Sequence, residues 1–247
     1  MPKFETEIIL PNYNSSNFLN QTLKSVINQS YKNWRLTIVD DASNIATKKI
    51  LKKFKNFKKI NIIWLKRNRG AAYCRNLAIK KSNSRFLAFL DSDDVWNRNK
   101  LKYQINFMKK NKYDFTYTYY ETFGEKNLRI IPPVKFDLSN FLKNTSIATS
   151  TMIINRKKVK NFKFSDTEIC EDYFYKCSIL KKLKYAHCLK KFLTKYRIRR
   201  SSLQSNKIKN IYWIWKINKR FNKLNFFNNF ISIFHISLNS LKKYGLK

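Results

Sequence analysis

The chain has 247 residues and a formal net charge of +37, from 52 Lys and Arg against 15 Asp and Glu. With 43% hydrophobic and 16% aromatic residues, it can bury a sizeable core, which argues against a disordered polycation. Three glycines exclude the Gly-rich phosphate loops. The chain has only two histidines and no Cys-x-x-Cys pair, so it offers few ligands for a zinc site and few candidates for a histidine-dependent hydrolase. Four scattered cysteines predict a reducing cytosol.

The basic residues are spread along the whole chain. Their field attracts polyanions, such as nucleic acid, an anionic membrane surface or a phosphorylated substrate. Lys, Asn, Ile and Phe are all abundant while Gly and Pro are scarce, so many lysines are simply a solvated surface. No nucleic-acid module signature accompanies them, and no specific nucleic-acid partner is expected. Neither a signal peptide nor a membrane-spanning helix is expected, because no suitable apolar run occurs.

Strands and helices alternate over the first 120 residues. Apolar and β-branched runs predict strands at Glu7–Pro11, Trp34–Val39, Ile60–Leu65, Arg85–Leu90 and Phe115–Tyr120. Helical spacing predicts four intervening helices, over Leu19–Ile27, Ile50–Phe54, Ala71–Ile79 and Leu101–Met108. Ser16 is available to cap the first helix. This alternation predicts βαβ units and an α/β fold with a mainly parallel sheet flanked by helices.

The second half is less regular. It predicts a strand at Thr151–Ile154, a helix over Tyr173–Leu180, a short strand at Leu193–Arg197 and two helices after Lys207. The chain therefore divides into a regular α/β half (1–120), an irregular half (121–206) and C-terminal amphipathic helices (207–247).

The scarce carboxylates are clustered. Nine of the fifteen fall in three groups: Asp40 and Asp41; Asp91, Asp93 and Asp94; Asp166, Glu168, Glu171 and Asp172. Such groups either cap helices and pair with basic neighbours, or hold a cation. The first two groups directly follow predicted strands, and the carboxyl ends of parallel strands share one crevice. The first and second aspartates of the middle group project to the same side of an extended backbone. They suit Mg²⁺ or Mn²⁺ that also binds a substrate diphosphate.

Four ordered motifs resemble those of family-2-like glycosyltransferases with the GT-A fold. They are IILPNYNSSNFL from Ile8, TIVDDAS from Thr37, NRGAAYCRN from Asn68 and FLDSDD from Phe89. A lone D-x-D would be weak evidence, but four motifs in order, at strand ends, cover almost half the chain. The resemblance implies that residues 1–120 bind a nucleotide sugar and that residues 121–206 face the acceptor.

The resemblance also implies roles for individual residues. The nucleotide sugar would be bound by Pro11, Tyr13, Asn14, Asp40, Asp41, Arg75, Asp91, Ser92 and, from a later segment, Arg197. Tyr13 would lie near the base, and Asp40 and Asp41 would hydrogen-bond base and ribose. Asp93 would be the direct ligand of Mn²⁺ or Mg²⁺, with Asp91 beside it.

The third acidic cluster resembles the family's E-D motif at a helix start. The resemblance assigns the general base to Asp172. Its neighbour Glu171 would raise the proton affinity of the pair and the helix N-terminus would lower it, so the net sign stays open. Tyr175 stands near a position where relatives carry Trp. The segment after Lys195 resembles one that lies by the phosphates, with Arg197, Arg199 and Ser202 as candidates.

The implied activity is transfer of a hexosyl group from a nucleotide-diphosphate sugar, most commonly a UDP-sugar, to a hydroxyl of a glycan or lipid-linked acceptor. The anomeric centre would be inverted, the metal would assist the leaving diphosphate, and the product would be a cell-surface polysaccharide. The resemblance implies a cytoplasmic enzyme, peripheral at the inner face of the cell membrane.

A second hypothesis is an inactive GT-A-like protein that binds a membrane or another polyanion. Its support is the charge and the last forty residues, where lysines alternate with Trp213, Trp215, Phe221, Phe226, Phe227, Phe230 and Phe234. The same aromatic pattern also fits helices that pack on the rest of the fold. Both interpretations stay open at the level of sequence.

Overall fold

A computed structural model describes residues 3–199 and 206–245, so the predicted Ser202 lies outside the described residues. Within them the strands are β1 Thr6–Asn12, β2 Trp34–Asp40, β3 Ile60–Trp64, β4 Phe86–Phe89, β5 Val95–Trp96, β6 Phe115–Gly124, β7 Arg129–Ile130, β8 Lys135–Phe136, β9 Ile153–Asn155 and β10 Ala186–Ile198. The helices are α1 Ser16–Ile27, α2 Ile45–Lys53, α3 Gly70–Lys81, α4 Lys100–Asn111, α5 Leu138–Phe141, α6 Glu171–Leu183, α7 Lys207–Arg220 and α8 Phe226–Tyr244.

All described strands belong to one sheet, in the order β3-β2-β1-β4-β9-β6-β10-β5, with β7 on β6 and β8 on β10. Strands β1 to β4 are mutually parallel, and β6 and β10 are also parallel to each other. The short β9 joins the two groups by pairing antiparallel with both β4 and β6. The predicted α/β fold with a mainly parallel sheet is therefore confirmed.

The central strands are apolar over their whole length because both faces of the sheet are covered. Every residue of β1 is buried. Its Ile8 and Leu10 pack with α1, α2 and α4 on one face, whereas Ile9 packs with α3 and α6 on the other. The strand ends therefore open between two helical layers.

Four details differ from the sequence predictions. Ser16 does not cap α1: it is the first helical residue, and Ser15 before it makes no side-chain cap bond. The predicted short strand at Leu193–Arg197 is the end of a thirteen-residue strand, β10. Strand β6 continues to Gly124, past the expected boundary at residue 120, and pairs with β10. Both halves therefore share one sheet. The periodicity did not reveal α5 or the two-residue strands β5, β7 and β8, which are too short to carry a period.

Helix α8 packs with two polar residues inward, on the side where Ile233 and Ile236 contact the core. Asn229 and Ser232 are buried, and both accept hydrogen bonds from Asn218 Nδ2 on α7, at 3.1 and 3.0 Å. The Asn218 Oδ1 atom accepts from Tyr173 Oη on α6 at 2.7 Å and from Asn222 Nδ2 at 2.9 Å. The side-chain amide of Asn218 thus makes all of its hydrogen bonds and connects α6, α7 and α8. The aromatic side of α8 faces outward.

No helix among the described residues is long and apolar enough to cross a membrane.

We expect Asn218→Ala to lower the free energy of unfolding by about 2 kcal/mol or more, because a buried polar group that loses its partner costs about 1–3 kcal/mol. Chemical denaturation followed by circular dichroism measures the change. The matched control is Asn20→Ala, an exposed position on α1, which should be neutral or slightly stabilising. Equal effects of the two substitutions would contradict the role of this amide.

Candidate active site

The ends of β1 and β2 are tied together by side chains from the first two motifs. Asn12 Nδ2 donates to Asp40 Oδ1 at 2.7 Å, and the Ser43 N–H donates to Asp40 Oδ2 at 3.2 Å. Asp40 is fully buried, so its carboxylate holds the two loops together. Its predicted contact with base or ribose stays a prediction.

The tip of the β1 loop is built to present Tyr13. Pro11 is buried within β1, whereas the Tyr13 ring is 53% exposed. Asn14 has a left-handed φ of 47°, a conformation that Asn tolerates well. Its Oδ1 accepts from the Asn44 N–H at 2.8 Å, and its own N–H donates to Ser43 Oγ at 3.0 Å. An open aromatic face thus stands on an ordered loop.

Asp41 caps helix α3. Its two carboxylate oxygens accept from the backbone N–H groups of Arg69 and Gly70, at 2.7 and 2.8 Å. An anion is favourable there because the first N–H groups of a helix have no intrahelical acceptor. Gly70 adopts a φ of 83° at this turn, which only glycine takes without strain. The cap fixes the start of the helix that carries Arg75.

Arg75 joins the second and third acidic clusters. Its two terminal nitrogens lie 2.7 Å from Asp91 Oδ1 and 2.7 Å from Glu171 Oε1, and its guanidinium lies over the Phe164 ring. Burial lowers the pKa of Arg75, but the two carboxylates outweigh burial and raise the pKa above its ordinary value. Arg75 therefore bridges the end of β4 and the start of α6, and its predicted contact with the nucleotide stays a prediction.

The D-x-D segment turns its carboxylates in different directions. The Asp91 N–H donates to Ser150 Oγ at 3.0 Å, and the Ser92 carbonyl accepts from Thr22 Oγ1 at 3.1 Å. Asp93 Oδ2 pairs with Arg199 at 2.7 Å. The buried Asp94 accepts from the Arg197 N–H at 2.8 Å.

Burial shifts the pKa values of two of these aspartates upward. Burial outweighs the attraction of Arg199 and raises the pKa of Asp93. Burial, with repulsion from Asp93 and Asp91, raises the pKa of Asp94 well above its usual range. Carboxylate oxygens are the donors that Mg²⁺ and Mn²⁺ prefer, so this cluster fits a divalent cation chemically. Among residues 3–199 and 206–245, however, no three His, Cys, Asp or Glu side chains are grouped to hold a metal ion.

Arg197 is held beside this segment. Its guanidinium lies between the rings of Phe18 and Phe123, at 4.6 and 4.1 Å. Its Nε donates to the Asp93 carbonyl at 3.0 Å, and its terminal nitrogen donates to Gln21 Oε1 at 2.7 Å. A rigid cation therefore covers the D-x-D turn.

Asp172 lies in the first turn of α6, within a dense set of donors. Its oxygens accept from the Tyr173 N–H at 2.8 Å, from Thr149 Oγ1 at 3.0 Å and from Lys176 Nζ at 2.7 Å. Lys176 was not among the predicted site residues, although its i,i+4 spacing from Asp172 indicates an ion pair on a helix.

The pKa values of Asp172 and Glu171 are shifted in opposite directions. Burial raises the pKa of Asp172, but Lys176, with Arg75 and Thr149 adding to it, holds this pKa at about 2. For Glu171, burial outweighs the attraction of Arg75 and raises the pKa. Asp172 is therefore the anionic member of the pair, and its neighbour is the one that burial drives toward the protonated form.

The second and third acidic clusters each contribute one residue to the lining of a cavity of about 440 Å³. Asp91 and Asp172 line it, together with Arg197 and Arg199, whereas Asp93, Asp94 and Glu171 do not. Asp40 and Asp41 do not line this cavity; they shape the loops and the helix behind it. A carboxylate that can accept a proton thus shares a pocket with two arginines that can bind a phosphorylated ligand.

The sequence matches the family model described as Glycosyl transferase family 2 over residues 7–182. The Bacillus subtilis (strain 168) protein TuaG, whose name refers to a glycosyltransferase of teichuronic acid biosynthesis, is 31% identical over 241 residues, with 96% of each chain covered. The Escherichia coli protein WfgD, named UDP-Glc:alpha-D-GlcNAc-diphosphoundecaprenol beta-1,3-glucosyltransferase, is 34% identical, with 88% of this chain and 86% of that protein covered.

Solved structures share the fold. Staphylococcus aureus TarS (residues 1–349) in complex with UDP-GlcNAc superposes with a TM-score of 0.75 at 19% identity, covering 97% of this chain and 73% of that chain. The mannosyltransferase PcManGT of Pyrobaculum calidifontis, in complex with GDP-Man and Mn²⁺, gives a TM-score of 0.70 at 14% identity, covering 91% of this chain and 67% of that one. The expected GT-A architecture is thereby confirmed, and the chain belongs to glycosyl transferase family 2.

Proposed function

We propose that the protein transfers a hexosyl group from a UDP-sugar to a hydroxyl of a glycan or lipid-linked acceptor, with inversion, in the synthesis of a cell-surface polysaccharide. The observation that carries the proposal is the shared cavity of Asp91 and Asp172. The names of TuaG and WfgD, which refer to teichuronic acid and to a diphosphoundecaprenol-linked sugar, support the class of product and acceptor.

The donor would bind across the loops after β1, β2 and β4. Tyr13 would stack on the base, because its exposed ring stands on an ordered loop. Arg197 and Arg199 would bind the diphosphate and stabilise its negative charge as it leaves, which is commonly a large catalytic contribution. Asp93, with Asp91 beside it, would hold Mn²⁺ or Mg²⁺. That ion would add Lewis-acid stabilisation of the leaving group.

Asp172 would accept the proton of the acceptor hydroxyl. With a pKa of about 2, it is a weak base, so it would take the proton only when bond formation to the anomeric carbon has made the hydroxyl acidic. Attack on the face opposite the leaving diphosphate would invert that carbon. Such a reaction needs no second, nucleophilic carboxylate, and Glu171 is already engaged with Arg75.

We expect Asp172→Asn to lower the rate of transfer by about 10²–10⁴-fold, because it removes general-base catalysis. The affinity for UDP, measured by calorimetry with Mn²⁺, should stay near the wild-type value. The matched control is Glu168→Gln, an exposed acid of the same cluster, which should retain transfer. Turnover by Asp172→Asn close to that of the control would contradict the base assignment. Vesicle binding without affinity for any nucleotide sugar would favour the inactive alternative instead.

We expect Lys176→Met to make transfer sensitive to acid. Lys176 holds the pKa of Asp172 down, so in the wild type this carboxylate stays ionised and kcat/KM is flat between about pH 5 and 7. Without Lys176 the pKa of Asp172 rises, and kcat/KM should fall as the pH is lowered through that raised pKa. The control is Lys182→Met, an exposed lysine of the same helix. An unchanged pH profile in Lys176→Met would refute the role of this ion pair.

We further propose that α8 rests on an anionic membrane surface. Phe227, Phe230, Phe234, Leu238 and Leu241 recur at helical spacing, and they are exposed by 69, 57, 53, 38 and 38%. We call these five residues the α8 stripe. No charged residue occurs from Phe226 to Leu241. The opposite side of the helix, with Asn229, Ser232, Ile233 and Ile236, packs inward. An exposed apolar stripe on an otherwise ordered helix marks an interaction surface.

The charge of the residues around the α8 stripe indicates which kind of surface binds it. Asp172 is the last acidic residue in the sequence, so every charged side chain of residues 173–247 is basic. Helix α7 and its exit contribute Lys216, Lys219, Arg220 and Lys223. Anionic head groups attract such residues, whereas an apolar protein surface would not compensate their charge.

We expect Phe230→Ser with Phe234→Ser to weaken binding to vesicles that contain phosphatidylglycerol by about tenfold or more, since these rings would leave the apolar interface. Vesicle sedimentation measures the affinity. The control is Ile45→Ser, which removes an 86% exposed side chain of α2. A vesicle affinity that does not depend on the anionic lipid content would overturn the membrane proposal. So would equal vesicle affinities of the two variants.

A further inference from the structure

The cavity that contains Asp172 continues away from the donor loops and reaches the C-terminal helices. Its far side is lined by Ile211 and Ile214 of α7 and by Ile236 and Leu241 of α8. Leu241 belongs both to this lining and to the α8 stripe. The cavity therefore runs from the carboxylate of Asp172 to the edge of the apolar surface.

The charged side chains on the far side of the cavity are basic. Lys126, Lys207 and Lys243 line it, and no acidic residue follows Asp172 in the chain. Lys126 Nζ donates to the Tyr244 carbonyl at 2.8 Å and keeps two N–H groups free of that bond. Among the described residues the Lys243 side chain has neither an ion-pair partner nor a hydrogen-bond partner, and burial lowers its pKa to about 8. A half-buried ammonium without a counter-ion is costly, and a bound anion would compensate it.

A ligand of this cavity must therefore combine three features. It needs a hydroxyl that reaches Asp172, an anionic group beside Lys243 and Lys126, and an apolar chain that leaves past Leu241. A sugar linked through a phosphate or diphosphate to a long hydrocarbon chain has these features in this order. A neutral glycan lacks the second and third.

We propose that Lys243, assisted by Lys126, binds the phosphate or diphosphate of a lipid-linked acceptor. This inference rests on the proposed transferase function, because it concerns the acceptor end of the same cavity. The two lysines lie at the junction of α8 with the loop after β6, which the Lys126–Tyr244 bond and a 3.2 Å contact between the hydroxyls of Tyr120 and Tyr244 hold together.

The test is a binding measurement that needs no donor and no turnover. The full-length protein is titrated by calorimetry with decyl-diphosphate-linked GlcNAc below its micelle concentration, and with decyl GlcNAc, which has no phosphate. We expect Lys243→Gln to weaken binding of the diphosphate probe by about tenfold or more, because it removes a charged hydrogen bond. Binding of the neutral probe and of UDP should not change, and Lys243→Arg should restore binding of the diphosphate probe.

The matched control is Lys242→Gln, the exposed neighbour on the same helix, which does not line the cavity. Equal affinities of the two Gln variants for the diphosphate probe would overturn the inference. So would a loss of UDP affinity in Lys243→Gln, which would assign the lysine to the donor. Weaker binding of phosphatidylglycerol vesicles in Lys243→Gln than in Lys242→Gln would also overturn it, by assigning the lysine to lipid head groups. Absence of transfer with intact probe binding would refute only the proposed reaction.

Discussion

The bridge from Asp91 through Arg75 to Glu171 is the contact on which the site depends. It joins a carboxylate at the end of β4 to the first turn of α6, and the bridging Arg75 lies 96 positions before Glu171 in the sequence. A buried guanidinium between two carboxylates is favourable only with close, well-oriented partners, and removal of one partner leaves an uncompensated charge. The bridge therefore fixes the distance between the D-x-D turn and Asp172, and the cap of Asp41 on α3 fixes Arg75 itself.

Much of this arrangement could be predicted from sequence, because strand ends are readable. From the sequence alone, the alternation of strands and helices predicts that Asp40 and Asp91 lie at one edge of the sheet. It could not reveal that the Asp40 carboxylate accepts hydrogen bonds from Asn12 and the Ser43 N–H, since hydrogen bonds in loops depend on backbone geometry. Nor could it reveal the partner of Arg75. Only Lys176, four residues after Asp172, left a local signal.

The C-terminal helices show why an amphipathic pattern alone is ambiguous. The aromatic pattern predicts equally well a helix that packs on the core and a helix that exposes its aromatic side. Part of it does pack: Phe221 contacts Phe174, with ring centroids 4.3 Å apart. Helix α8 exposes its aromatic side, because Asn229 and Ser232 hydrogen-bond to Asn218 in the interior while Ile233 and Ile236 pack against the core. Polar complementarity and apolar packing together therefore determine which side of α8 is buried.

The distribution of charge connects these features. A chain with a net charge of +37 repels itself, yet its acids are concentrated where the fold brings Asp91, Asp93 and Asp94 close to Asp172 through Arg75. At the β4 end, burial and repulsion from Asp93 and Asp91 raise the pKa of Asp94, and on the C-terminal side of the cavity burial lowers the pKa of Lys243. Under the proposed function, a cation-bound diphosphate at one end and a lipid-linked phosphate at the other would compensate the charges of both groups. Because both groups lose hydration in the fold, binding of the two substrates would stabilise the fold as well as align them.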